Sequence, residues 1–279
     1  MNQIPLACAD FSFPLLPHDM VFDLIAGLGI EGVDLSIITV NSHLPVEEVL
    51  KSPSVWARTI SSKIAQSGLQ IADVHFHPGM DFESLAVNNP DRSARQHAGE
   101  SFKAALEFAT TCKAKHLTMY PGVAWKGEEH SSSLKRSAEE LAWRVEEAAK
   151  LGIRLAVEAH VGSIIPSPKE ARQLLDRVRG LTLTLDYTHF ICQGISEEES
   201  EQLLPFASHF HARGGRLGRL QSAMKENTID YSRVLNKMKD SNYQGFFELE
   251  YVWIDREHLN DVDVLSETIL LRDIANQYR

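Results

Sequence analysis

Residues 154–189 read RLAVEAHVGSIIPSPKEARQLLDRVRGLTLTLDYTH, and this stretch decides the fold. It contains two apolar runs of strand length, at residues 154–158 and 181–186, and each run ends in a carboxylate. Gly152 and Gly180 stand just before these runs, where a helix-terminating residue is expected in a short connection from helix to strand. The stretch therefore predicts two parallel strands joined by a crossover.

The same alternation extends along the whole chain. Residues 91–112 and 133–151 have apolar residues at three- and four-residue spacing, which is typical of helices packed on a sheet. Eight strands are predicted, at residues 4–9, 32–35, 71–76, 116–120, 154–158, 181–186, 208–212 and 245–250. Eight alternations without a long linker favour an α/β fold, a (β/α)8 TIM barrel with one domain over residues 1–279. An open doubly wound sheet is the alternative.

Polar residues stand at the carboxyl ends of the last four predicted strands. In a barrel these ends meet at one mouth, which is where catalytic groups lie. The residues are Glu158, His160, Asp186, His189, His209, His211, Arg213, Glu248 and Glu250. Side chains alternate along a strand, so His209, His211 and Arg213 are expected to share one face, and Glu248 and Glu250 another.

One carboxylate or histidine at a strand end is weak evidence, because such residues often cap helices or form ion pairs. Four strands that end in Glu, Asp, His and Glu concentrate negative charge in one place, and this charge needs a cation. Three carboxylates and one imidazole form a hard ligand set that suits Mn²⁺ best, also Mg²⁺ or Co²⁺, and tolerates Zn²⁺. No cysteine stands at these strand ends, which argues against a structural zinc site.

The composition argues against several classes of function. With 28 Lys and Arg against 38 Asp and Glu, the chain has a net charge of −10, which repels nucleic acid and anionic membranes. No stretch approaches the roughly 18 apolar residues of a membrane span, and the first residues do not resemble a secretion signal. Cys8, Cys112 and Cys192 are widely spaced, as expected for free thiols in a reducing compartment. We therefore expect a cytoplasmic protein.

At its strand ends the chain resembles the xylose isomerase-like barrel family, which includes sugar phosphate isomerases and epimerases, ketose 3-epimerases, inosose dehydratases and endonuclease IV. The resemblance spans residues 4–278. Its most specific elements are Asp186-Tyr-Thr-His189, which matches the family's Asp-x-x-His, and the glycine at 245 that precedes Glu250 by five residues. The resemblance implies that one divalent metal is bound by Glu158, Asp186, His211 and Glu250. Alternation directs Glu248 toward the barrel interior one layer below Glu250, so it is expected to be oriented by a ligand or by a strand-end arginine or histidine and not to touch the metal.

The resemblance also implies a reaction and a substrate class. The metal would act as a Lewis acid that stabilises an enediolate, while Glu158 and Glu250 remove and return a proton beside the carbonyl of a carbohydrate. The alternative is that both glutamates only hold the metal and water transfers the proton. His189 would bind substrate, and His160 and His77 would contact sugar hydroxyls or support the site structurally.

One position departs from the family pattern. Ketose 3-epimerases carry a substrate-binding arginine six residues after the seventh-strand histidine, and here that position is Leu217. Arg216 and Arg219 stand nearby, but Arg213 is preferred because alternation directs it the same way as His211. This departure leaves the identity and phosphorylation of the sugar open.

The residues allow other functions at the same site. Elimination from a keto-sugar or keto-inositol begins with the same enolate, so a dehydratase or lyase is the main alternative. An endonuclease IV activity needs further zinc ligands, and Tyr120 stands where that enzyme carries one of its histidines. A non-catalytic sugar-binding barrel is the alternative from another class, and metal content would test it. A homo-oligomer is compatible with the sequence.

Overall fold

Eight parallel strands form the centre of the protein, and each pairs with the next one in the chain. The computed structural model describes residues 3–39, 42–255 and 259–279. The strands are β1 (Leu6–Ala9), β2 (Gly32–Ile38), β3 (Gln70–His77), β4 (His116–Met119), β5 (Arg154–Glu158), β6 (Thr182–Asp186), β7 (Ala207–Ala212) and β8 (Phe247–Leu249). Because β8 also pairs with β1, the sheet closes into a barrel, and the predicted TIM barrel is confirmed.

Helices follow the strands and cover the outside of the barrel. They are α1 (His18–Gly27), α2 (Val46–Lys51), α3 (Pro53–Gln66), α4 (Arg92–Thr111), α5 (His130–Lys150), α6 (Pro168–Leu175), α7 (Thr188–Ile191), α8 (Glu197–Glu201), α9 (Tyr231–Asp240) and α10 (Val264–Tyr278). The two amphipathic segments read from the sequence correspond to α4 and α5. Their buried residues recur on one face, which packs against the sheet.

The element ends differ from the sequence-based bounds by a few residues. β1 begins at Leu6, and β8 ends at Leu249, although the backbone N–H of Glu250 still donates to Ala212 O at 2.9 Å. Gly152 has a φ of +69° just after α5, as a helix-terminating glycine should. Gly180 has a φ of +87°, but α6 ends earlier, so this glycine belongs to the turn before β6.

The apolar core lies mainly between the sheet and the helices, whereas the inside of the barrel is strongly polar. Thr118 Oγ1 and Thr184 Oγ1 lie 2.6 Å apart, and His209 Nε2 lies 2.5 Å from Asp34 Oδ2. These contacts join strands that are not neighbours in the sheet, so they cross the barrel interior. TIM barrels usually fill this space with branched aliphatic residues. Here polar residues take the place of those aliphatic residues, so titratable groups lie along the barrel axis beneath the mouth.

One buried pair in this interior gives a test of stability against pH. His116 Nδ1 lies 2.7 Å from Asp73 Oδ1. Burial by itself raises the pKa of Asp73, but the charge and the hydrogen bond of His116 outweigh burial, and the pKa lies below its usual value.

We expect Asp73→Asn to lower the free energy of unfolding at pH 7 by about 2 kcal/mol, because it removes a charged hydrogen-bond partner. A carboxyl whose pKa is depressed by folding stabilises the fold above its unfolded pKa of about 3.9, and this contribution is lost as the pH falls further. The difference between wild type and variant in urea unfolding should therefore shrink below about pH 4. An equal difference at both ends of the pH range would contradict this assignment.

No helix in the three described segments is long and apolar enough to cross a membrane. The three cysteines are free thiols; Cys8 and Cys112 are buried and Cys192 is partly exposed.

Candidate active site

The four ligands implied by the family resemblance come together at the carboxyl ends of β5 to β8. Oxygen atoms of Glu158, Asp186 and Glu250 all lie within 4.8 Å of one another. His211 Nδ1 lies 3.3 Å from Glu158 Oε1 and 3.4 Å from Glu250 Oε1. All four side chains are buried. The structure therefore places these residues in one cluster, which we call the carboxylate cluster: Glu158, Asp186, His211 and Glu250.

The charged groups in and around the carboxylate cluster shift the pKa values of one another. Burial by itself raises the pKa of Glu158, but hydrogen bonds from His189 and His211 outweigh it and hold this pKa well below its usual value. Burial by itself lowers the pKa of His211, but the carboxylates of Glu248, Glu250 and Glu158 outweigh it and raise this pKa well above its usual value.

The donor atoms of this cluster fit a divalent metal ion. Three carboxylates carry more negative charge than Arg213, the one guanidinium beside them among the described residues, can balance. Glu250 Oε2 is buried and accepts no hydrogen bond from the described residues. One divalent ion together with Arg213 would neutralise the three carboxylates, and oxygen donors with one imidazole suit such an ion. Glu158, Asp186, His211 and Glu250 are the residues that would hold it.

Of the three arginines considered from the sequence, the structure places Arg213 at the site. Its Nη2 lies 3.0 Å from Asp186 Oδ2, and its Nη1 lies 3.3 Å from Glu250 Oε2. The carboxylates of Glu250 and Asp186 raise its pKa despite burial, so it stays charged. Arg216 pairs with Glu226 and Arg219 with Asp261, both away from the cluster.

His189 and His160 form a second layer beside the cluster. His189 is fully buried, and its Nε2 lies 3.6 Å from Glu158 Oε1 and 3.5 Å from Asp186 Oδ2. The ring of His160 lies 3.8 Å from that of His189. Burial and the neighbouring His189 lower the pKa of His160 well below its usual value, so this imidazole is neutral. The structure thus places His160 at the cavity and His189 behind it, against the ligand carboxylates.

A cavity of about 220 Å³ opens above the carboxylate cluster. Glu158, Glu250, Arg213 and His160 form part of its base. The other lining residues are Phe11, Ile38, His75, His77, Gly79, Met80, Asp81, Phe82, Tyr120, Leu220, Val252, Ile254 and Leu259. His77, which the sequence reading selected, lies on the wall with its ring 4.5 Å from that of Tyr120. This small cavity with convergent polar groups is where a substrate would meet the cluster.

His75 is a cavity residue that the sequence reading missed. It is 4% exposed, and its Nε2 is buried without a hydrogen-bond partner among the described residues. It forms a group of possible metal donors with His211 and Glu250, with atoms within 4.8 Å. The signal was available, because His75 and His77 stand two residues apart and alternation directs both to the same face.

Glu248 lies below the cluster, inside the barrel. Its Oε2 is 3.3 Å from His211 Nε2, on the side of the ring away from Glu158. Burial and the nearby charges of Asp34 and Glu250 raise the pKa of Glu248 well above its usual value, although His211 opposes this. The structure thus places Glu248 beside a strand-end histidine and one layer below Glu250, where alternation predicted it.

A larger cavity, of about 620 Å³, lies at the opposite end of the barrel. Lys115, Arg154 and Gln244 are among its lining residues, and each stands at or before the start of a strand. In TIM barrels this amino-terminal face of the strands contributes to stability rather than catalysis. We therefore assign the active site to the smaller cavity.

The chain is similar to known proteins in its family model and in its fold. The family model described as xylose isomerase-like TIM barrel matches residues 22–269. A search of curated protein sequences found no match. Among solved structures, a D-psicose 3-epimerase from Clostridium cellulolyticum H10 is 13% identical, with a TM-score of 0.76 and coverage of 99% of both chains.

Two further structures have similar overlap. A 3-keto-D-glucoside 4-epimerase from E. coli is 13% identical, with a TM-score of 0.74 and coverage of 99% of this chain and 100% of the other. The IolI protein, solved with a bound zinc atom, is 17% identical, with a TM-score of 0.73 and coverage of 99% of both chains. At these identities the likeness shows the fold alone. The match to the family model covers most of the chain, and the protein therefore belongs to the xylose isomerase-like TIM barrel family.

Proposed function

We propose that this protein is a divalent-metal-dependent isomerase or epimerase of a sugar, keto-sugar or sugar phosphate. The observation that carries the proposal is the buried carboxylate cluster, of which Glu158 and Glu250 line a cavity at the mouth of the barrel. The fold of solved sugar epimerases supports it. The hard donor set makes Mn²⁺ the first choice of metal, and the solved relative with a zinc atom makes Zn²⁺ a second.

In this reaction the two glutamates have complementary roles. A bound divalent ion would supply a Lewis acid beside the substrate carbonyl. Glu158 and Glu250 come from different strands, β5 and the end of β8, so they approach the reacting carbon from different sides. One takes the proton from the carbon beside the carbonyl, and the other returns it. Hydrogen bonds from His189 and His211 outweigh burial and keep Glu158 ionised, which suits it to bind a cation.

Arg213 and the histidines would position the substrate and the glutamates. Arg213 is held by Asp186 and Glu250, so it fixes their orientation before substrate arrives. His160 Nδ1 donates to Val161 O, so the Nε2 of this neutral ring can accept a hydrogen bond from a substrate hydroxyl. His77 and Tyr120 extend this hydrogen-bonding wall.

The experiment that tests the proposal is proton exchange in D₂O. Keto-sugars, sugar phosphates and inososes are incubated with the Mn²⁺-loaded protein, and loss of the substrate proton is followed by NMR. Exchange with an epimer or isomer as product supports the proposal, and a dehydrated product supports the lyase alternative. A metal-loaded protein that exchanges no proton in any of these substrates would refute both.

The three free cysteines fit a reducing compartment, so we keep the cytoplasm as the expected location.

His189→Ala should separate turnover from metal binding. We expect the variant to keep its metal but to lose about a hundredfold in kcat/KM, because His189 holds Glu158 and the His160 ring in place. Metal content, melting temperature and turnover are measured on one preparation, with the exposed His97→Ala as control. A variant with a lower melting temperature and normal turnover would show that His189 is only structural.

His75→Leu should weaken catalysis without removing the metal. We expect a loss of about a hundredfold in kcat/KM, because the free Nε2 at the cavity can no longer bond the substrate. His75→Gln should recover part of this loss, since its amide can donate a hydrogen bond. Loss of metal from either variant would instead identify His75 as a ligand.

A further inference from the structure

The cavity above the carboxylate cluster has two chemically different sides. One side is formed by the end of β2 and by the segments after β1, β7 and β8. Its side chains are Phe11, Ile38, Leu220, Val252, Ile254 and Leu259, and we call them the apolar wall. Phe11 and Val252 pack together in a small apolar cluster of their own, with Ile38 and Ile254 against it.

Polar backbone groups of the apolar wall are already used within the protein. Gln221 Nε2 donates to Val252 O at 2.8 Å and to Leu259 O at 2.6 Å. The backbone N–H of Val252 donates to Gln221 Oε1 at 2.8 Å. Beside the wall, Thr39 Oγ1 donates to Pro78 O at 2.6 Å. These groups are therefore not available to a substrate.

The opposite side of the cavity is rich in hydrogen-bonding groups. It is formed by His75, His77, Tyr120 and His160, which come from β3, the end of β4 and the end of β5. The buried Nε2 of His75 has no partner among the described residues. With His75 and His160 on this side and the carboxylate cluster at the base, a ligand can form more than one hydrogen bond here.

These two sides place opposite demands on a bound carbohydrate. A hydroxyl held against the apolar wall would lose its bonds to water and gain none, which opposes binding. An apolar group in the same place would gain in proportion to the area that it buries. A ligand that fills the whole cavity must therefore be polar at one end and apolar at the other.

We propose that the substrate is a carbohydrate that carries an apolar substituent, with its hydroxyls toward the histidine side and the substituent against the apolar wall. The proposal rests on the proposed function only in taking a sugar ring as the group that meets the carboxylate cluster. Specificity then comes from the substituent as well as from the ring.

Direct binding tests this inference independently of turnover. The probes are glucose, methyl β-glucoside and phenyl β-glucoside, which share one ring and differ in apolar area. Their Kd values for the Mn²⁺-loaded protein are measured by ligand-observed NMR. We expect the phenyl glucoside to bind about tenfold or more tightly than the methyl glucoside.

Variants locate the preference on the apolar wall. Ile254→Asn should remove most of the advantage of the phenyl glucoside, while Leu270→Asn, on the exposed face of α10, should leave it unchanged. Ile38→Ser is a second wall variant, should Ile254→Asn fail to fold. Equal Kd values for the three probes, no measurable binding of the phenyl glucoside, or a preference that survives both wall variants would overturn the inference.

The proposed function is judged separately by proton exchange. Exchange with free keto-sugars but no phenyl preference would leave the function standing and remove this inference. Tighter binding of the phenyl glucoside without proton exchange in any keto-sugar would leave this inference standing and remove the proposed function.

Discussion

Replacing Glu158 or Glu250 by glutamine is expected to lower kcat about a thousandfold, because each variant loses one of the two groups that move a proton. Glutamine keeps an oxygen donor and nearly the same volume, so the fold should be retained. If the two glutamates serve opposite faces of the substrate, each variant should still exchange the proton of one epimer with D₂O. Neither variant should convert one epimer into the other.

Exchange and conversion are both measured on each variant by NMR, with metal content determined on the same sample. Glu139→Gln, an exposed residue of α5, is the matched control and should behave as wild type. Full conversion by a metal-loaded Glu158→Gln or Glu250→Gln protein would show that water moves the proton and that the glutamates only bind the metal. The two variants thus decide whether Glu158 and Glu250 transfer the proton or only bind the metal.

Removing a metal ligand is expected to abolish the stabilisation that a divalent ion provides. An ion that binds only the folded state stabilises it by about 4 kcal/mol at a thousandfold excess over its Kd. For a protein of this size this corresponds to a rise of about 8 °C in melting temperature. Asp186→Ala and His211→Ala should show little of this rise when Mn²⁺ is added.

The measured quantity must be the shift caused by Mn²⁺, and not the melting temperature itself. Asp186 Oδ1 accepts from the backbone N–H and the hydroxyl of Thr188, and its Oδ2 pairs with Arg213, so Asp186→Ala is destabilised even without metal. Asp176→Ala, an exposed carboxylate in an ion pair with Arg172, is the control. A full Mn²⁺ shift in Asp186→Ala would remove Asp186 from the ligand set.

Polar side chains fill the interior of the barrel beneath the carboxylate cluster. Glu248, His209 and Asp34 occupy positions beneath His211 that branched aliphatic residues usually fill in a TIM barrel. Glu248 contacts one nitrogen of His211, and Glu158 and Glu250 contact the other. The ring therefore lies between carboxylates on both sides, with its Nδ1 toward Glu158 and Glu250.

Strand periodicity predicted the direction of the Arg213 side chain but not its ion-pair partners. Alternation along β7 correctly directed Arg213 toward the same side as His211, because side chains two residues apart on a strand share a face. It did not indicate that Asp186 and Glu250 would hold the guanidinium, since these contacts come from β6 and the end of β8.

The sequence by itself predicted the eight strands, favoured a closed barrel over an open sheet, and indicated most of the strand-end residues that meet at its mouth. Strand periodicity, short connections and the convergence of parallel strand ends are local or topological properties, and a sequence records them directly. Only the tertiary structure decided which residues face the substrate. It added His75 to the cavity, put His189 behind His160, and joined Asp34 of β2 to His209 of β7. Irregular pairing at Val33/Asp34 and Leu183/Thr184 shifts the register, so distances across the barrel depend on closure of the whole sheet, which no single strand encodes.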